Sequence, residues 1–401
     1  MPDRILTSHA GSLPRPEDLI ALNEQRAAED FTDEAEYLGK LRSAVADVVA
    51  RQRDTGIDLV NDGEFGHSMG QRYDFGSWWT YVFQRLANIE LTDVSIGEIP
   101  QPKAKPGEIR LASFADRRDW QAFLDAYLDP AAGVGLPNIA TVAPVCRGPI
   151  TYQGQADVQR DIADMKAAMA AAGVTEGFLN SVAPGSCARF GNEYYDDDEA
   201  IMYACADAMR EEYKAIIDAG LILQLDDPAI AENWDQINPA PSTEDYRRFT
   251  RKRIEALNYA IRDLPAERIR FHLCWGSWHG PHITDFPMAD LIDVMLEVNA
   301  GAYSFEAANV RHEHEWKLWR DVKLPEGKVI LPGVVSHSTN VVEHPELVAD
   351  RIVRFAEVVG RENVVASTDC GLGGRVHPQI AWAKLDTLAK GAELATARLW
   401  G

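Results

Sequence analysis

The sequence predicts an α/β protein, a closed (β/α)8 TIM barrel, and three regularities carry that prediction. Short apolar runs alternate with longer amphipathic stretches, the alternation repeats about eight times, and most runs end in a polar, chemically reactive residue. Alternating strand and helix argue for a parallel sheet, because each parallel neighbour needs a crossover, and eight such units suit a closed barrel. The C-terminal ends of the strands in such a barrel form one mouth, where chemistry collects.

The runs, in order, are RILTSHAGS (4–12), GIDLVNDGE (56–64), EGFLNSVAPG (176–185), GLILQLDDP (220–228), RIRFHLCWG (268–276), GAYSFEA (301–307), KVILPGVVS (328–336) and NVVASTDCG (363–371). Helical periodicity fills most of the gaps, at 33–56, 157–173, 196–220 and 243–267. The acidic run DDDE at 196–199 reads as a helix N-terminus, where carboxylates meet the positive end of the dipole. A ninth run, PNIATVAPV at 137–145, is surplus. It falls in residues 66–155, which are rich in Pro, Gly and aromatics and poor in helical period. We expect one barrel domain over 1–401, with 66–155 as an excursion between strands 2 and 3 that packs on the barrel and contains a small antiparallel hairpin.

Composition narrows the function. The 401 residues are 46% hydrophobic and 25% charged, an ordinary globular balance. A net charge of −22, from 62 acids against 40 bases, repels phosphate backbones and anionic lipid. We therefore expect no nucleic-acid partner and no membrane partner. The opening residues lack the apolar core of a signal peptide, and five cysteines make a poor disulfide framework, so the expected location is cytoplasmic. The sequence does not fix the oligomeric state, and a homodimer is one possible assembly. Cys146, Cys187 and Cys205 read as core thiols.

The run around 272 holds the sharpest signal. Residues i and i+2 of a strand share a face, so His272 and Cys274 project together while Leu273 points into the helix layer. Imidazole and thiolate side by side suit zinc. Cys370 ends another run and turns on glycines. Glu306 ends the run between them and would complete a four-ligand set at the barrel mouth. Each also has a plainer reading: a satisfied core histidine, buried inert thiols, a carboxylate in a salt bridge. His279 and His282 follow a Trp-Gly-Ser-Trp turn and read first as loop residues. Ser12, Glu64, Asp226, Asp227 and His337 close other runs and face the same mouth.

These segments resemble a known family. SHAGSLPRP near the start, VNDGE at 60–64, LQLDDPA at 223–229, HLC at 272–274, FEAAN at 305–309, PGVVSHS at 332–338 and STDCGLGGR at 367–375 are similar, in order and strand-end placement, to the catalytic C-terminal barrel of cobalamin-independent methionine synthase and its short single-barrel relatives. The resemblance implies a zinc ion held by His272, Cys274, Glu306 and Cys370. It implies that Ser12, Glu64 and Asp226 line the pocket of a thiol substrate, and that His337 stands near the methyl transfer as proton donor. Two features depart from the family: Asp227 occupies the place of the second acid, and the segment 177–186 lacks a tryptophan pattern.

The expected activity is zinc-dependent transfer of a methyl or alkyl group from a small-molecule donor to a thiol of the homocysteine type, as in methionine biosynthesis. Glu306 is the expected displaceable ligand, and His337 or Asp227 the acid that protonates the leaving group. The alternatives are thiol addition to an epoxide, as in the epoxyalkane:coenzyme M transferases, or its reverse; a metal-free enzyme like uroporphyrinogen decarboxylase; and a zinc-stabilised scaffold.

Overall fold

A computed structural model describes residues 3–27, 33–67, 77–92, 109–111, 117–134, 143–276 and 278–401. Ten strands occur among them: β1 Leu6–Thr7, β2 Ile89–Thr92, β3 Ala143–Cys146, β4 Phe178–Val182, β5 Gly191–Asn192, β6 Ile222–Asp226, β7 Ile269–Leu273, β8 Ala302–Phe305, β9 Val329–Val335 and β10 Val365–Thr368. Seven form one parallel sheet in the order β1-β10-β9-β8-β7-β6-β4. The fold is mixed α/β with a curled parallel sheet, a half-barrel.

Seven of the eight apolar runs are therefore strands of this sheet. The exception is GIDLVNDGE. Its Val60 makes a single parallel bridge to Gly177, and Asp58 and Leu59 donate their backbone N–H groups to Thr7 O at 3.1 and 3.0 Å. The segment thus touches both edge strands of the sheet, yet forms no ladder with either. Side chains replace the ladder: Asp58 Oδ2 accepts from Thr7 N at 2.9 Å, and Thr7 Oγ1 donates to Gly56 O at 2.7 Å. The chain then turns away at Asn61–Gly63, where Asn61 Oδ1 accepts from Gly63 N.

The helices lie where periodicity puts them, and their ends are capped by the residues that bound them in sequence. Glu34–Thr55 starts on Asp33, whose side chain accepts from Glu36 N, and stops at Gly56 with φ 89°. Asp198–Asp218 is capped by Asp197, so the acidic run is a helix start. Gln155–Ala172 ends on Gly173, and Thr243–Ala260 starts on Ser242. No helix among the described residues is long and apolar enough to cross a membrane.

Within residues 66–155, β2 pairs antiparallel with β3, and β3 pairs parallel with β5. The surplus ninth run supplies β3, while residues 137–142 lie outside the described ones. The antiparallel pair in this region joins two strands that lie far apart in the chain.

Strand β7 shows how the sheet is filled. All five residues are buried. Ile269, Phe271 and Leu273 join the apolar core, while Arg270 and His272 occupy the opposite face.

Helices Pro345–Val359 and Pro378–Trp400 pack tightly against each other. A methyl group on Gly391 would overlap the buried, β-branched Val348. Gly391→Ala is thus expected to lower stability by about 1–3 kcal/mol, although alanine is the better helix former. A urea unfolding curve measures it, and Val348→Ala in the same chain should recover part of the loss.

Candidate metal centre

The C-terminal ends of the strands bring most of the anticipated residues together. Ser12, Glu64, Asp226, His272, Cys274 and Cys370 line one cleft, with Trp78, Pro228, Gly276 and Arg375 completing its wall. The ligand atoms of His272, Cys274 and Cys370 lie within 4.8 Å of one another, and all three residues are buried. His272 Nδ1 is paired with Ser304 Oγ at 3.1 Å, while Nε2 is buried without a hydrogen-bond partner. One nitrogen is thus held by Ser304, and the ring lies beside two sulfurs. A donor set of one imidazole and two thiols, with an unspent nitrogen, fits a borderline-soft cation such as zinc.

Glu306 stands beside this trio rather than within it. Its Oε1 accepts from Trp275 N at 2.8 Å and its Oε2 from Asn309 Nδ2 at 2.6 Å. It groups instead with His337 and Asp369, again within 4.8 Å. Asp227 is not on the cleft wall. Ser186 Oγ donates to its Oδ1 at 2.7 Å, and its Oδ2 has no partner. His279 Nε2 lies 3.4 Å from His337 O, and His282 sits between Asp285 and Trp278 O, so both act in the loop.

Asp369 escaped the sequence reading. Its Oδ1 accepts from Ala307 N and Ala308 N, both at 2.7 Å, and its Oδ2 from Asn309 N at 2.8 Å. The residue before Cys370 thereby clamps the turn after Glu306 and sets the distance between two candidate ligands. Gly333 is needed opposite, because a Cβ there would overlap Asp369 Oδ1. The only sequence signal was its place in STDCG. Gln224 and Asn180 were also missed. They donate to Asp226 Oδ1 and Oδ2 at 2.8 and 2.9 Å.

Burial dominates the electrostatics. It pushes Asp226 and Asp227 up to about 6. Burial, with Asp226 next, holds Glu64 well above the ordinary carboxylate range. Glu306 reaches about 8 through burial, with Asp369 and Cys370 adding to it. Cys370 goes the other way: its hydrogen bond with Cys274, then Arg375 and His272, hold it well below the usual thiol range despite burial. Burial lowers His337 to about 3, so its ring is neutral at pH 7. Glu64 also sits at φ 62°, a left-handed conformation uncommon for a side-chain-bearing residue, inside a turn held by Asp62 Oδ1 accepting from Glu64 N.

Comparison with known proteins shows the family and the fold. Residues 140–393 match the family of the cobalamin-independent synthase catalytic domain. Over 213 residues the chain is 26% identical to a methionine synthase of Thermococcus kodakarensis, covering 52% of this chain and 54% of that one. The chain thus spans about half the length of the curated methionine synthases it matches. It is 25% identical over 396 residues to the uncharacterized protein YxjH of Bacillus subtilis, covering 94% of this chain and 91% of that one. Among solved structures, a B12-independent methionine synthase from Shewanella sp. W3-18-1 superposes with a TM-score of 0.71 at 20% identity, covering 99% of both chains. A putative vitamin-B12-independent methionine synthase from Listeria monocytogenes gives 0.61 at 18% identity, also covering 99% of both.

Two outcomes follow from the geometry. Asp369→Asn replaces an acceptor oxygen with a donor facing backbone N–H groups, and should cost about 1–3 kcal/mol, read by urea unfolding. Asp62 is pushed up to about 7 by burial and by Asp161. Its folded value lies above its unfolded one, so its contribution to stability is complete below pH about 4 and is lost as pH rises through about 7. Asp62→Asn should therefore gain on the wild type across that window, by up to roughly 4 kcal/mol at pH 8. Unfolding curves at pH 4, 6 and 8 test this, and a pH-independent difference would refute it.

Proposed function

Because the chain belongs to the cobalamin-independent synthase catalytic-domain family, we propose that it is a zinc-dependent enzyme that moves a methyl group from a small-molecule donor onto a thiol, with a homocysteine-type acceptor as in methionine biosynthesis. The observation that carries this reading is the convergence of His272, Cys274 and Cys370 around the unpartnered Nε2. Zinc bound there would strip the proton from an incoming thiol and present sulfur as a nucleophile.

The protein's own groups supply the rest. Glu306, beside the trio, would complete the ligand set. Its oxygens already have partners in Trp275 N and Asn309 Nδ2, so it can yield its place to a substrate sulfur without becoming an unsatisfied buried charge. Glu64 and Asp226 give the cleft a negative floor that suits an ammonium group, and Arg375 on the same wall suits a carboxylate. Together they favour an amino-acid thiol. Ser12 is held against the turn after Cys370 by Leu372 N and Gly373 N, both donating to its carbonyl. Of the two expected acids, Asp227 keeps its proton to the higher pH, about 6 against about 3 for His337. It is mostly ionised at pH 7 and lies off the cleft wall, so its part as an acid would grow as pH falls below about 6.

We read 57–61 as the eighth strand position that closes the barrel, 1–401 as one domain, and 66–155 as an insertion packed on it. The chain is read as cytoplasmic, without nucleic-acid or membrane partners. The relatives named above lend no support to epoxide opening or decarboxylation.

The test joins metal analysis to activity. The wild type should carry about one zinc per chain and methylate homocysteine. Cys370→Ala should lose the metal and more than about 100-fold in rate. A metal-free wild type of undiminished activity would end this reading.

A further inference from the structure

Below the cleft floor lies a polar layer that the chemistry above does not use. Arg270 precedes His272 by two residues on β7, so it points to the same inner face. It is 2% exposed, and its hydrogen-bond partners are all neutral. Nε donates to Gln224 Oε1 at 2.5 Å, Nη1 to Ser8 Oγ at 2.8 Å, and Nη2 to His9 O. Its guanidinium lies 3.9 Å from the centre of the Phe178 ring. A buried cation with neutral partners is costly, so it calls for a compensating role.

The role lies in what it does to Gln224. A guanidinium only donates, so the Gln224 amide must turn its oxygen towards Arg270. Its Nε2 then points upward, to Ala10 O at 2.7 Å and Asp226 Oδ1 at 2.8 Å. Strand register makes this possible: Gln224 is level with Arg270, and Asp226 with His272. The other Asp226 oxygen takes Asn180 Nδ2 at 2.9 Å, and Asn180 Oδ1 accepts in turn from Asn61 Nδ2 at 3.2 Å. With both oxygens given directed donors from below, the carboxylate keeps one orientation. Were Gln224 to flip, its oxygen would face Asp226, and two acceptors would repel.

We propose that Arg270 is a positioning residue, which locks the Gln224 amide so that Asp226 is held as an aimed carboxylate for a cationic group on the thiol substrate. This rests on the reading of Asp226 as a substrate-binding residue. The effect acts through the amide and needs no contact between Arg270 and substrate.

Two probes separate the possibilities on the zinc-loaded full chain: L-homocysteine, and 4-mercaptobutyrate, which keeps the thiol and carboxylate but has no ammonium. Calorimetric Kd values are measured for wild type, Arg270→Met, Gln224→Met, Asp226→Asn and the Arg270→Met/Asp226→Asn pair. Arg270→Met and Gln224→Met should each weaken homocysteine about tenfold or more and leave 4-mercaptobutyrate within about twofold. Arg270→Met should add little once Asp226 is Asn. Gln224→Met keeps the Arg270 bonds to Ser8 and His9, and carries the test if Arg270→Met fails to fold. Equal losses for both thiols, or additive losses in the pair, would mean a merely structural arginine and overturn the proposal. Unchanged homocysteine binding in Asp226→Asn would overturn the substrate reading itself, and the proposal with it.

Discussion

Register between parallel strands is the constraint on which the centre depends. Side chains alternate between two faces, and neighbouring strands hold fixed levels, so Asp226 stands beside His272 and His272 beside Ser304. A slip of one residue in β7 would turn His272 and Arg270 into the helix layer and bring Phe271 and Leu273 inward. Two cross-links beyond the ladder hold the level. Asp369 ties the end of β10 to the turn after β8, and Arg270 ties β7 to β6 and to the chain after β1.

Charge is the second organising feature. Glu64, Asp226, Asp227, Glu306 and Asp369 all lie at or near one end of the sheet, and burial raises the pKa of each. Such a crowd repels itself unless cations join it. Arg375 acts on both Glu64 and Cys370, Arg253 and Arg189 act on Asp227, and Arg351 acts on Asp369. The proposed divalent ion and substrate ammonium would balance the remainder, and metal and substrate recognition would then be coupled through these carboxylates.

Much of this was legible in the sequence, and the reasons are local. The i, i+2 spacing of His272 and Cys274 needs only a strand. The caps Asp33, Asp197 and Ser242 announce their helices because their side chains satisfy the first backbone N–H groups. What stayed hidden depends on partners distant in the chain. Nothing within STDCG says that Asp369 will clamp a turn some sixty residues earlier. Nothing in GIDLVNDGE says that Asp58 will give its carboxylate to Thr7 and so interrupt a ladder. Glu306 reads as a ligand from its strand-end place, but its present partners, a backbone N–H and an amide, are visible only in three dimensions.

The pairing of β1 with β10 carries a consequence for biosynthesis. Ala10 N donates to Thr368 Oγ1 across 358 residues, and Ser12 closes on the turn after Cys370. A nascent chain emerging from the ribosome can present His272 and Cys274 long before Cys370 exists, and two ligands alone grip an ion weakly. Contacts of such long range form late and slowly. Capture of the proposed ion would therefore belong to the last stage of maturation, with the thiols open to oxidation until then.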